Sequence, residues 1–214
     1  MNCCCNKSKL IWSFIFNLAI VIFGVVGVIL SVGRHGIKVF QFYTENSNYF
    51  ALIVSFVYCI FCVICLFFKL RIPRFIYVLR FISTVCLTVT FVMVVCVLGP
   101  LYPENFIFYL VGNSNLYQHT ICPILSFVSC ILFENYANIT QYMVILSIIP
   151  TLLYGVVMVL LNIFKVVIGP YPFFYFYELP WCVSIFSHIS IVFGVVLIAF
   201  ILHKLISKKN NNSI

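Results

Sequence analysis

The sequence predicts an all-α fold, a polytopic membrane bundle of six transmembrane helices, and three observations predict it. Hydrophobic residues make up 64% of the 214-residue chain and charged residues only 7%, with a mean hydropathy of +1.20. No water-soluble arrangement of a 24.6 kDa chain hides that much apolar surface. The apolar residues also fall into six runs, each about as long as a helix must be to cross the hydrocarbon core. Finally, the basic residues stand beside the ends of those runs, where side chains meet headgroups and fix orientation.

The expected spans are 10–32, 49–68, 77–98, 116–133, 142–161 and 181–202, in one transmembrane domain over 10–203. A cytoplasmic segment, 1–9, precedes it, and a basic, Asn-rich tail, 204–214, follows. The run from Leu10 to Val32 is too long, and too soon followed by others, for a cleaved signal peptide, so it is expected to stay as the first span. Tyr49–Phe68 follows the polar segment Thr44–Asn48 and stops at Lys69; the third run ends at Gly99-Pro100. The fourth is the shortest and is counted from Leu116 through the polar Gln118-His119-Thr120 set; without it the termini would lie on opposite sides. Pro150 falls inside the fifth span. The sixth is entered through Pro170-Tyr171-Pro172-Phe173-Phe174-Tyr175, an interfacial aromatic belt whose rings could also line an entrance for acyl chains.

Short loops rich in Lys and Arg stay cytoplasmic. The termini, the even-numbered loops and the first turn of the third span carry nine such residues (Lys7, Lys9, Lys69, Arg71, Arg74, Arg80, Lys204, Lys208, Lys209) against three opposite (Arg34, Lys38, Lys165). Both termini are therefore expected in the cytoplasm, in the plasma membrane of a bacterium or in an endomembrane or plasma membrane of a eukaryote. The net charge of +8 is read as topology, with no nucleic-acid partner. The sequons at Asn6, Asn138 and Asn211 fall on the cytoplasmic side, where they stay unmodified. Of the eleven cysteines most read as small helix hydrophobes, with Cys59, Cys62 and Cys65 fanned around one helix. Cys3, Cys4 and Cys5 read either as S-acylation sites or as plain cytosolic thiols.

The chemistry-bearing residues collect at the other face. Thr44-Glu45-Asn46-Ser47-Asn48 reads in two ways: as a cap on the next helix, or as a site with Thr44, or Ser47, as hydroxyl nucleophile. His119 at the start of the fourth span is the general base available near neutral pH, and it approaches Thr44 if those two helices are neighbours. Asn46, Asn48 or free N–H groups would steady a developing oxyanion. Pro123 cannot donate to the residue 119 carbonyl, so a kink is expected beside the histidine. His188, two turns into the sixth span, is either a functional ionisable group or helix-to-helix glue bonded to Ser184. A metal or haem held by His119, His188, Cys122 and Cys182 lacks any spaced ligand motif, so no metal and no cofactor is expected.

Tyr43-Thr44-x-x-Ser47-Asn48, His119-x-x-x-Pro123 and Tyr171-Pro172-Phe173-Phe174, in that order, resemble the androgen-induced, androgen-dependent family of six-span membrane hydrolases and their bacterial relatives, described as integral membrane regulators. The resemblance implies cleavage of fatty acid esters of hydroxy fatty acids, with Thr44 as nucleophile and His119 as general base. The chain departs from that pattern at Ser129 and Cys130, where an acidic residue with tryptophan is usual, and at Tyr175, where an acidic residue is usual. The leading expectation is a carboxylic ester hydrolase acting on an acyl-ester lipid at the outer interface. Its catalytic pair is Thr44 and His119, supported in the oxyanion or in orientation by Asn46, Ser47, Asn48 and His188. The alternative is a non-catalytic membrane protein, or a small-solute or proton carrier using His188.

Overall fold

A computed structural model describes residues 7–134, 136, 140–167, 169–175 and 177–211. Cys3, Cys4, Cys5 and the sequon residues Asn6 and Asn138 lie outside them, as does the side chain of Asn211. Regular structure among the described residues is all helical, and six helices are long and apolar enough to cross a membrane. The chain is a multi-pass membrane protein.

The six spans are α1 (Lys7–His35), α2 (Tyr43–Phe68), α3 (Arg74–Met93), α4 (Leu116–Phe133), α5 (Gln141–Ile163) and α6 (Trp181–Asn211). A π-helical turn, Val94–Leu98, prolongs α3. The even number of spans puts both described ends of the chain on one side. The bundle then has a Thr44 end, where α2, α4 and α6 begin, and a Glu134 end, where they finish.

Small and polar side chains decide which faces meet. In α1 the buried stripe is Leu10, Ser13, Asn17, Ile20, Gly24, Gly27 and Ser31, spaced alternately three and four residues apart, so it forms one seam along the helix. Gly24 lets Leu52 of α2 approach and Gly27 lets Tyr117 and Gln118 of α4 approach; a Cβ on Gly27 would sit 3.1 Å from Gln118 Cγ. The opposite face, with Ile15, Ile22 and Ile29, is exposed to the hydrocarbon. Lipid is as apolar as these side chains, so exposing them costs nothing there.

α3 is the axis of the bundle and packs on α2, α4, α5 and α6. More than half of its most apolar 18-residue window is buried (56%), against 17% for α5 and for α6. This explains why α3 carries Arg80, Ser83, Thr84, Thr88 and Thr90: a central helix can hand polar groups to neighbours on all sides. α5 and α6 lie outside, on α3 and on each other.

The expected spans and the observed ones coincide for 116–133 and differ most at the end of α6, which runs to Asn211 rather than to 202, and at the start of α2, which begins at Tyr43 rather than at residue 49. Thr44–Asn48 is therefore helical and not a cap. The N-cap is Phe42, with no side-chain cap bond. The polar side chains bond backward instead: Ser47 Oγ to the Thr44 carbonyl (2.9 Å), Asn48 Nδ2 to the same carbonyl (2.8 Å) and Asn46 Nδ2 to the carbonyls of Phe40 and Phe42. A polar residue inside a spanning helix must satisfy itself on the helix or across to a neighbour, and this segment does both.

Candidate functional site

Two polar constellations and one apolar cavity distinguish the interior. At the Glu134 end, Arg80 is fully buried and all five of its N–H groups find acceptors. Nε and Nη2 donate to Glu134 Oε1 at 3.1 and 2.9 Å, Nη1 to Ser55 and Ser83, and Nη2 also to Ser126. Glu134 Oε1 accepts further from Asn17 and Ser129, and Oε2 from Tyr136. Lys209 of α6 donates to the Glu134 carbonyl at 2.9 Å. Burial opposes the charge on Glu134, but the Arg80 guanidinium and the surrounding donors outweigh it and hold the carboxyl below the ordinary carboxylate range. This knot joins α1, α2, α3, α4 and α6.

The sequence reading counted Arg80 among the interfacial cations and gave Glu134 no role. α3 starts at Arg74, so Arg80 is nearly two turns inside the helix. The available signal was the position of Glu134, which is the single glutamate on the side that carries nine Lys and Arg residues.

At the Thr44 end, Glu45 is buried between α1 and α4, where Ser31 Oγ and Gln118 Nε2 donate to its two carboxylate oxygens. Asn48 Nδ2 reaches both the Thr44 carbonyl and the Gln118 carbonyl (3.1 Å). Two oxygens on one nitrogen stand within about 6 Å of each other, so the starts of α2 and α4 are neighbours. The residue preceding His119 is thereby held beside Thr44. The turn Leu116–Ile121 is π-helical, with Cys122 N–H on the Tyr117 carbonyl. In that register the acceptor that Pro123 cannot serve is the Gln118 carbonyl rather than that of residue 119, and Asn48 serves it instead.

His119 is 8% exposed and its Nδ1 lies 2.6 Å from the Tyr109 carbonyl, in the short loop helix Phe106–Val111. A carbonyl only accepts, so Nδ1 carries the proton and Nε2 the lone pair. Thr120 Oγ1 donates to the next carbonyl, that of Leu110, at 2.7 Å. The loop helix thus clasps the start of α4.

Thr44 itself faces elsewhere. It lines a cavity of about 320 Å³ enclosed by the starts of α2 and α6, the second half of α3, α5 and the aromatic segment before α6. The walls are mainly Val, Leu, Ile and Met side chains; the polar groups are Thr44, Thr90, Thr151, the phenols of Tyr43, Tyr154 and Tyr171, and the ring of His188. Tyr43 and Thr151 hydroxyls pair at 2.8 Å and Tyr154 donates to the Gln41 carbonyl, which ties α2 to α5. Ser47 pairs with Thr90 at 2.9 Å and ties α2 to α3. Tyr171 lies beside Thr44, and burial pushes its phenol up. His188 Nδ1 donates to the Ser184 backbone carbonyl at 2.7 Å, the bond being to the main chain rather than to the Ser184 hydroxyl.

The six expected site residues therefore divide. Thr44 and His188 share the cavity wall, whereas His119 is not among its lining residues and turns to the loop helix. Ser47, Asn46 and Asn48 spend their side chains on Thr90 and on backbone carbonyls. Among the described residues no group of three His, Cys, Asp or Glu side chains is placed to hold a metal ion. Comparison of the chain with protein-family models, with curated proteins and with solved structures finds no match.

Proposed function

We propose that this protein is a membrane-embedded hydrolase of lipid esters, with Thr44 as nucleophile and the acyl portion of the substrate in the apolar cavity. The observation that carries this reading is the position of Thr44, a hydroxyl on the wall of an apolar cavity of about 320 Å³ that also presents an imidazole and a phenol. Such a space is large enough for a small ligand, and a few polar groups against apolar walls suit an amphiphile. The resemblance noted above supports the same role for Thr44; the base it implies, His119, is not among the residues that line the cavity. The shared bonds of Asn48 bring the start of α4 to Thr44, and the Tyr109 carbonyl leaves Nε2 of His119 as the basic nitrogen. Asn46 and Asn48 serve the site by orientation, since their amides are spent on carbonyls. The Tyr171 phenol, which lies beside Thr44, is the donor assigned to a developing oxyanion there.

Where the resembled family usually has an acidic residue, at Ser129 and Cys130, Ser129 Oγ donates to Glu134 Oε1 at 2.8 Å. A carboxylate is thus supplied to that place from five positions later. The distribution of Lys and Arg supports cytoplasmic termini and a cavity at the outer face.

The test is fluorophosphonate labelling of membranes carrying the parent chain, Thr44→Ala or His119→Ala. Labelling of the parent that Thr44→Ala abolishes is the expected result. An unlabelled parent, with correctly inserted protein, overturns the hydrolase reading.

A further inference from the structure

The cavity holds an imidazole that the resemblance does not use. His188 projects from α6 onto the same wall space as Thr44, and its ring is fixed on three sides. Nδ1 donates to the Ser184 carbonyl at 2.7 Å. The rings of Phe173 and Phe174 meet it edge-on, with centroids at 5.9 and 5.1 Å. Ser184 Oγ reaches the Phe173 carbonyl at 3.3 Å and fastens that aromatic segment to α6 beside the histidine. With the proton held on Nδ1 by a carbonyl, the lone pair sits on Nε2, the tautomer a general base requires. His119 has the same tautomer but lines no part of this cavity.

We propose that His188 is the acid–base residue of the Thr44 cavity. This rests on the hydrolase reading and deepens it by naming the group that handles the proton. Thr44 Oγ1 attacks the carbonyl carbon of the ester while its proton passes to Nε2 of His188. The tetrahedral adduct collapses, the carbon–oxygen bond to the alcohol breaks, and the imidazolium returns the proton to the departing oxygen, leaving an acyl ester on Thr44. Water then attacks that ester and gives a proton to the same nitrogen. The bond to Thr44 breaks, Oγ1 takes the proton back and a carboxylic acid leaves.

The cavity wall offers one imidazole for this role. The described lining residues include no carboxylate and no cation. Of the phenols, Tyr43 on α2 is paired with Thr151, Tyr154 on α5 donates to the Gln41 carbonyl, and Tyr171 lies beside Thr44. Glu45, the neighbour of Thr44, is engaged by Ser31 and Gln118 outside the cavity. His119 thereby becomes a positioning residue that holds the start of α4 on the loop helix.

The experiment uses the full chain in proteoliposomes with p-nitrophenyl octanoate as probe, comparing the parent with Thr44→Ala, His119→Ala, His188→Ala and His188→Gln. Removal of an acid–base group is expected to lower kcat by about 100-fold or more, with KM changed less than about threefold. We expect that loss in both His188 variants, partial recovery of His188→Ala by added imidazole, and thermal melting of both close to the parent. A parent-like kcat in both His188 variants, or a loss that imidazole leaves untouched, overturns the role of His188 while the Thr44 reading stands if Thr44→Ala is inactive. A folded parent that does not cleave the probe overturns both.

Discussion

Arg80 of α3 and Glu134, just past the end of α4, form an ion pair of 2.9 Å with both side chains wholly removed from solvent. Every N–H of the guanidinium has an acceptor, and both carboxylate oxygens accept at least once. Removing one partner from such a pair strands a charge in the bundle, at a cost of about 3–5 kcal/mol. Arg80→Ala and Glu134→Ala are each expected to lose that much stability. The double variant Arg80→Met/Glu134→Leu is expected to lose less than the sum, read by thermal unfolding in detergent.

The same carboxyl gives a pH dependence of known sign. The native pKa of Glu134 is depressed, so its contribution is complete above the unfolded value of about 4.3 and is lost as pH falls through the native one. The gap in melting temperature between the parent and Glu134→Gln is expected to be constant near neutrality and to narrow below about pH 4. A gap that widens on acidification contradicts the assignment.

Asn48 joins the start of α2 to the start of α4 through the carbonyls of Thr44 and Gln118. Asn48→Leu leaves the buried Gln118 carbonyl without that donor, which costs about 1–3 kcal/mol. Hydrogen exchange is expected to rise at the start of α4, around His119, more than in α5.

Gly27 and Gly33 belong to the same helix and are expected to respond differently. A Cβ at Gly27 meets Tyr117 and Gln118 at 3.2 and 3.1 Å, whereas one at Gly33 meets nothing within 4 Å. Gly27→Leu is expected to push α1 from α4 and to cost about 1–3 kcal/mol, as overpacking does, while Gly33→Ala stays near neutral in the same melting assay.

Orientation is open to direct chemical labelling. Cys182, in the first turn of α6, is exposed and free, at the Thr44 end of the bundle. With cytoplasmic termini, a membrane-impermeant maleimide added to intact cells carrying Cys96→Ser is expected to modify Cys182, and Cys182→Ser in that background to abolish the signal. Modification only after permeabilisation reverses the topology.

Length and hydropathy made the six spans legible, since a bilayer imposes a fixed run of apolar residues whatever the helices pack against. The start of α2 was not legible. Glu45, Ser47 and Asn48 look like a polar approach to a helix, yet they lie inside it because their partners, Ser31, Thr90 and Gln118, come from other helices. The proximity of the α2 and α4 starts was posed by the sequence as a condition, and the bonds of Asn48 meet it. The sequence named His188 only as a support of the Thr44 site; that the two line one cavity follows from how α6 packs. Periodicity tells which face of a helix is buried, but not that α6 lies across from the start of α2.

The Arg80–Glu134 pair also bears on how the chain is made. The two residues are 54 positions apart, so at about 5–20 residues per second the arginine emerges about 3–11 seconds before its counter-ion. During that interval α3 cannot settle at full depth with a bare guanidinium among lipid tails. The third segment is therefore expected to wait beside the insertion machinery until the fourth arrives. A nascent chain arrested before Glu134 is synthesised would be held there rather than released into the bilayer.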